Sequence, residues 1–237
     1  EAAAPAGQPP GRHEAEGGKV AAAATPDGSE RRARTRTTGR GRVLFVGTSL
    51  TAGLGLDPSE AYPAIVAEKI DSAGLPFEVV NAGVSGETSS GALRRIDWLL
   101  REPVDVVVIE TGANDGLRGV PVATLRANIE ALVGRIREAR PDASILLVQM
   151  EALPNFGPEY TGAFRGVYQE VAEESGITLA PFLLEGVAGR PSLNQPDGIH
   201  PTAQGARLAA ANIWASLVPL LVARSGGLDA AGESQEA

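Results

Sequence analysis

The sequence predicts an α/β domain in which a parallel sheet lies between layers of helix. Two observations carry this. Short runs rich in Val, Ile and Leu recur along the chain, and stretches of helical periodicity separate them. The apolar runs do not alternate cleanly with polar residues, so their strands are buried on both faces, as in a parallel sheet. Strands are expected at 43–47, 77–81, 104–110 and 145–150, with a weaker fifth at 177–179. Between them, helices are expected at 61–73, 89–101, 122–139 and 163–175, and a helix at 203–222 closes the domain.

Of the 237 residues, 43% are hydrophobic and 21% charged, an ordinary globular balance. Residues 43–224 are read as one domain, long enough for a single core that removes roughly 70% of the unfolded chain's surface from water. Residues 1–42 are rich in Ala, Pro, Gly and Arg and almost free of large apolar side chains, which reads as a disordered linker. Residues 225–237 are expected to be a loose tail. A linker of this kind in front of a globular domain is what a removed signal peptide or tether leaves behind, so a periplasmic or secreted location is expected, with the cytoplasm as the other possibility. The run 208–223 is interrupted by Asn212, Ser216 and Pro219, so it reads as a core helix and no transmembrane segment is expected. The net charge is -8, and the basic residues concentrate in the linker, which argues against nucleic-acid binding. The absence of Cys excludes disulfides, cysteine nucleophiles and thiolate zinc sites.

In open parallel sheets ligands bind beyond the carboxyl ends of the strands, so unusual residues there are the functional candidates. Strand one ends in Gly47-Thr48-Ser49, where a serine either presents its hydroxyl to a cleft or caps the next helix. After strand two comes Asn81-Ala82-Gly83-Val84-Ser85-Gly86-Glu87-Thr88, a loop whose glycines can turn backbone N–H groups into the cleft. After strand three comes Glu110-Thr111-Gly112-Ala113-Asn114-Asp115-Gly116, which brings an amide and two carboxylates to the sheet edge and also has the composition of a turn. The last segment is Asp197-Gly198-Ile199-His200-Pro201. His13 lies in the linker, so His200 is the only imidazole of the domain and the natural general base if base chemistry occurs near neutral pH. Asp197, three residues earlier, is within reach of one ring nitrogen. One domain histidine and no cysteine make a zinc or iron site improbable, and no cofactor is required.

Together these segments resemble the SGNH hydrolases, also called the GDSL esterase/lipase family, within their arylesterase, acyl-thioesterase I and lysophospholipase L1 branch. The resemblance rests on residues 81–88, 112–119 and 197–201 and runs from about Val43 to Leu221. It implies a flavodoxin-like three-layer α/β/α sandwich with a five-stranded parallel sheet. It implies Ser49 as nucleophile, His200 as base and Asp197 as the residue that orients it. The backbone N–H groups of Ser49 and Gly86 and the side-chain amide of Asn114 are implied as the oxyanion hole. Two positions depart from the family pattern. Thr48 stands where the name motif has Asp, so the hydrogen bonding around the nucleophile must differ, and Glu87 stands where relatives often carry Asp.

The expected activity is hydrolysis of small acyl esters, including aryl, short-to-medium acyl and lysophospholipid esters, and of acyl thioesters, through an acyl-Ser49 intermediate. Leu153, Phe156 and Tyr160, on a Gly/Pro-rich segment after strand four, either line an acyl pocket or pack on the next helix. Two competing readings stand beside this one. A carbohydrate O-deacetylase uses the same residue set, although a chain with 4% aromatic residues offers few surfaces for stacking sugars. A non-catalytic binding module would treat Thr48 as the mark of a decayed site.

Overall fold

A computed structural model describes residues 39–233, with side chains described as far as Gly226. Most of the expected linker, with its basic run and His13, lies outside the described residues. Five parallel strands form one sheet: β1 (Gly41–Gly47), β2 (Phe77–Gly83), β3 (Val106–Ile109), β4 (Ser144–Val148) and β5 (Thr178–Ala180), in the spatial order β2-β1-β3-β4-β5. The chain moves outward to β2, then returns past β1 to lay β3 on its other side. This reversal makes the carboxyl ends of β1 and β3 the expected binding crevice.

Three helices cover one face of the sheet. They are α3 (Ser89–Leu99), α5 (Val122–Ala139) and α6 (Pro158–Ser175), packed in that order side by side. α5 places Leu125, Ile129, Leu132, Val133 and Ile136 inward at helical spacing, and all are buried. α2 (Tyr62–Ser72) and the closing helix α7 (Ala203–Glu233) pack on each other. α7 buries Ala206, Ala209, Ala210, Ile213, Leu217 and Leu221. Its Ala203–Gly226 portion is long and apolar enough, by length and composition, to cross a membrane. The buried stripe instead makes it a core helix. Every residue of β3 is buried, as expected of a central parallel strand.

The five strands and the helix at 122–139 match the sequence-based expectation, and the remaining differences have local causes. β1 starts at Gly41, so residues 41 and 42 belong to the sheet and not to the linker. α6 starts at Pro158, five residues before the expected 163, because Gly157 turns the chain at φ 84° and Pro158 is preset for the first helical position. α7 continues past Arg224 to Glu233, where a loose tail was expected. Two short helices were not anticipated: α1 (Ser49–Ala52), directly after β1, and α4 (Ala113–Arg118), directly after Gly112. Asn114-Asp115-Gly116 is thus helical and not a turn.

Candidate active site

Ser49 is the first residue of α1, and Thr48 is its N-cap, with the Thr48 hydroxyl accepting from the Leu50 N–H. Two glycines let α1 sit tightly against the sheet. A Cβ on Gly83 would lie 2.2 Å from the Ala52 nitrogen, and one on Gly47 would lie 1.9 Å from Thr51 Oγ1. The serine hydroxyl therefore stands at the crevice mouth, between the loops that follow β2 and β3.

Ser49 Oγ lies 2.8 Å from His200 Nε2, across 151 positions of sequence. His200 Nδ1 lies 2.7 Å from Asp197 Oδ2. With Nδ1–H donating to the carboxylate, the Nε2 lone pair is left to accept from the serine hydroxyl. The other carboxylate oxygen, Oδ1, accepts from the backbone N–H of His200 and of Ile199. The His200 backbone N–H, then its imidazole, then the Ile199 N–H hold the Asp197 carboxyl down at about 2. Asp197 is consequently an anion throughout the neutral range, although half-exposed.

The loop bearing His200 is stitched to the segment that follows Ser49 by Gln195. Its Nε2 donates to the carbonyls of Leu54, at 2.7 Å, and Pro201, at 2.9 Å. The Gln195 backbone N–H donates to the His200 carbonyl. Gly55 makes room for this side chain: at φ 80°, a Cβ there would lie 2.2 Å from Gln195 Oε1. No spacing rule points to the bond between Gln195 and Leu54, because the two are 141 positions apart.

Gly86 and Asn114 stand on the two connections flanking β1, Gly86 in the loop after β2 and Asn114 in the first turn of α4 after β3. Gly86 adopts φ 77°, and Arg118 of α4 donates to its carbonyl. Asn114 Nδ2 donates to the Glu87 carbonyl at 2.9 Å, which links the two connections and leaves its second N–H available. Glu87 makes a bidentate pair with Arg95 of α3, whose guanidinium also donates to the Gly47 carbonyl. The longer arm at position 87 thus serves to tie the loop to α3. Asp115 is not at the crevice edge, as its position in the motif suggested. It is buried, and it accepts from the N–H and hydroxyl of Ser89 at the start of α3.

Glu110, likewise expected at the edge, is also buried, beneath α1. Its carboxylate accepts from the Thr48 N–H at 2.8 Å, the Thr48 hydroxyl at 3.0 Å and the Thr51 hydroxyl at 2.8 Å. Thr51 in turn pairs with the Tyr62 hydroxyl at 2.8 Å. Burial pushes the Glu110 carboxyl up to about 7, against the lowering effect of these donors. Burial also raises the Tyr62 phenol, as does the charge of Glu110. A sequence signal for this cluster does exist. A carboxylate closing an all-apolar strand cannot be left without donors.

Tyr160 lies on α6, its ring between Phe156 and Phe164, with its hydroxyl donating to the Val120 carbonyl. Tyr160 is half-buried in this aromatic row, whereas Leu153 and Phe156 are exposed. Leu54, Val84, Leu117, Leu153, Phe156 and Ile199 are exposed large apolar residues, and every strand of the sheet is followed by at least one of them. A small cleft beside Ser49 and His200 has apolar walls, including Leu54, Leu56, Leu184 and Ala206. No group of three or more His, Cys, Asp or Glu able to hold a metal ion occurs among the described residues.

The profile of the GDSL-like lipase/acylhydrolase family matches residues 45–208, well over half of the chain. The chain belongs to this family. Esterase TesA of Pseudomonas aeruginosa is 42% identical over 76% of this chain and 89% of its own length. Thioesterase 1/protease 1/lysophospholipase L1 of Escherichia coli K12 is 36% identical over 67% of this chain and 74% of its own. Among solved structures, the psychrotrophic esterase EstA of Pseudoalteromonas, inhibited by monoethylphosphonate, superposes with a TM-score of 0.71 at 36% identity, covering 76% of this chain and 98% of that one. As a GDSL-family hydrolase, this protein acts on ester bonds.

Proposed function

We propose that the protein hydrolyses carboxylic esters of small apolar acids and alcohols, and acyl thioesters, through an acyl-Ser49 intermediate. The observation that carries this reading is the unbroken hydrogen-bonded run from Ser49 Oγ through His200 to Asp197. His200 Nε2 takes the serine proton as Oγ attacks the acyl carbon, and the Asp197 carboxylate stabilises the imidazolium that forms. The developing oxyanion is met by the N–H groups of Ser49 and Gly86 and by the free N–H of Asn114. His200 then protonates the departing alkoxide or thiolate, and water repeats the cycle on the acyl-enzyme.

The apolar walls of the cleft beside Ser49 and His200 support aryl and short-to-medium acyl substrates, lysophospholipids among them, over sugar esters, because Leu54, Leu56, Leu184 and Ala206 offer hydrocarbon contact. Thr48 gives no support to a decayed site, since both its N–H and its hydroxyl are engaged. The test is intact-mass labelling with a fluorophosphonate, together with p-nitrophenyl ester hydrolysis by the native protein and by Ser49→Ala. A single adduct at Ser49 and loss of hydrolysis in the variant are expected. A folded native protein that takes no adduct and hydrolyses no ester defeats the proposal.

A further inference from the structure

Glu110 touches neither Ser49 nor His200, yet it grips the helix that carries the nucleophile at both ends. Thr48, the N-cap of α1, donates to it twice, through its N–H and its hydroxyl. Thr51, two residues after Ser49, donates at 2.8 Å from the other end. The grip is close. Gly47 has no side chain, and a Cβ there would lie 2.7 Å from Glu110 Oε2. Ser49 thus sits between two anchor points on one wholly buried carboxylate at the end of β3.

Each of these hydrogen bonds presents a hydrogen to Glu110, and such donors favour the carboxylate, against the burial that favours the acid. The family's motif has Asp where this chain has Thr48. Here the Thr48 hydroxyl supplies one more donor to Glu110. The titratable groups facing Glu110 are phenols: Tyr62 of α2, reached through Thr51, and Tyr168 of α6, whose ionisation Glu110 opposes. From α3, Arg95 reaches the neighbouring Gly47 carbonyl and not the carboxylate.

We propose that Glu110, as a carboxylate, is the positioning residue of the nucleophile: by accepting from Thr48 and Thr51 it holds Ser49 in line with His200, and protonation of Glu110 slackens that hold. The proposal rests on Ser49 being the nucleophile. Burial pushes the Glu110 carboxyl up to about 7, so its protonation falls within the pH range in which the esterase is assayed. On acidification a proton on Glu110 then loosens the site.

The test is the pH dependence of kcat/KM on a p-nitrophenyl ester for the native protein, Glu110→Gln and Thr51→Val. The native acid limb contains a component at the Glu110 ionisation, near 7. Glu110→Gln keeps the volume, removes one acceptor oxygen and cannot ionise. It lowers kcat roughly 10- to 100-fold with little change in KM, the scale of effect that a small displacement of a reacting group produces. Its acid limb lacks the Glu110 component. Thr51→Val removes one donor to the anion and moves the Glu110 component of the limb to higher pH, which decides the matter if Glu110→Gln does not fold. Native-like kcat and an unchanged limb in Glu110→Gln, or an unmoved limb in Thr51→Val, overturn the proposal. Fluorophosphonate labelling separates the two failures. No Ser49 adduct in the native protein removes the nucleophile itself, whereas a normal adduct with unchanged pH profiles removes only the role of Glu110.

Discussion

Two carboxylates approach the same serine from opposite sides, and their surroundings drive them to opposite extremes. Asp197 sits on a half-exposed rim loop, close to water, and backbone and imidazole donors hold it down at about 2. Glu110 lies fully buried on the floor of the site, and burial pushes it up to about 7 despite a comparable set of donors. Hydrogen bonds to the charged form are present in both cases, so they do not account for the difference. Loss of hydration does, and it outweighs several good donors. Asp197 can therefore serve as a permanent charge beside the imidazole, while Glu110 changes its charge near 7.

The opposite shifts give opposite stability slopes. Asp197 has a folded value below its ordinary 3.8, so its contribution is present above that value and is lost as pH falls toward 2. Glu110 has a folded value above its ordinary 4.5, so its contribution is complete below 4.5 and is lost as pH rises through about 7. Ionised Glu110 is thus the form that weakens the fold and the form proposed to hold the nucleophile, a trade of stability for activity at a working site.

Four measurements break or sharpen this contrast. Ser49→Ala removes the hydroxyl that the run from Asp197 serves and α1 carries. It should lower ester turnover by on the order of 10⁵-fold or more, as loss of the nucleophile does in other serine hydrolases. Asp197→Asn keeps the shape of the rim loop but replaces the fixed charge by an amide that favours the wrong imidazole tautomer. A fall in kcat of roughly 10³- to 10⁴-fold is expected, and a fall of under tenfold would mean that the half-exposed carboxylate matters less than the buried one. Asn114→Ala tests the wall between the two regions. Turnover should drop about 100- to 1,000-fold while the melting temperature changes little, and full turnover on a good ester would remove Asn114 from the oxyanion hole. The smallest effect is thermodynamic. Between about pH 4.5 and 7, urea denaturation should show the native protein losing up to ~3 kcal/mol of stability relative to Glu110→Gln, the equivalent of the shift at Glu110. Parallel pH curves for the two proteins would mean that Glu110 is not forced to ionise in the interior.

The rim was far more legible in the sequence than the floor. Asp197 and His200 are three residues apart in a chain with two histidines, so composition alone singles them out. Ser49, Gly86 and Asn114 follow strands that their own Val and Ile runs announce. Glu110 and Asp115 were read as edge carboxylates because their composition suits turns and their burial is invisible in one dimension. Gln195, Arg95 and Arg118 carried no signal, since each acts on a backbone carbonyl that any residue supplies. Tyr160 was ambiguous in sequence. The start of α6 at Pro158 places it on a helix and not on a loop.

By itself the sequence determined the βαβ order, the five strands and the residue types at each strand end, because periodicity and turn composition are local properties of the chain. It also determined that base chemistry, if present, falls to His200. Only the tertiary structure decided that Ser49 meets His200 across 151 positions and that Glu110 meets Thr48 across 62. It alone decided, too, which of the crevice carboxylates keeps its water. Contacts of that span follow from how the strands are ordered and how closely the glycines let α1 approach them, and charge state follows from burial, which no local pattern encodes.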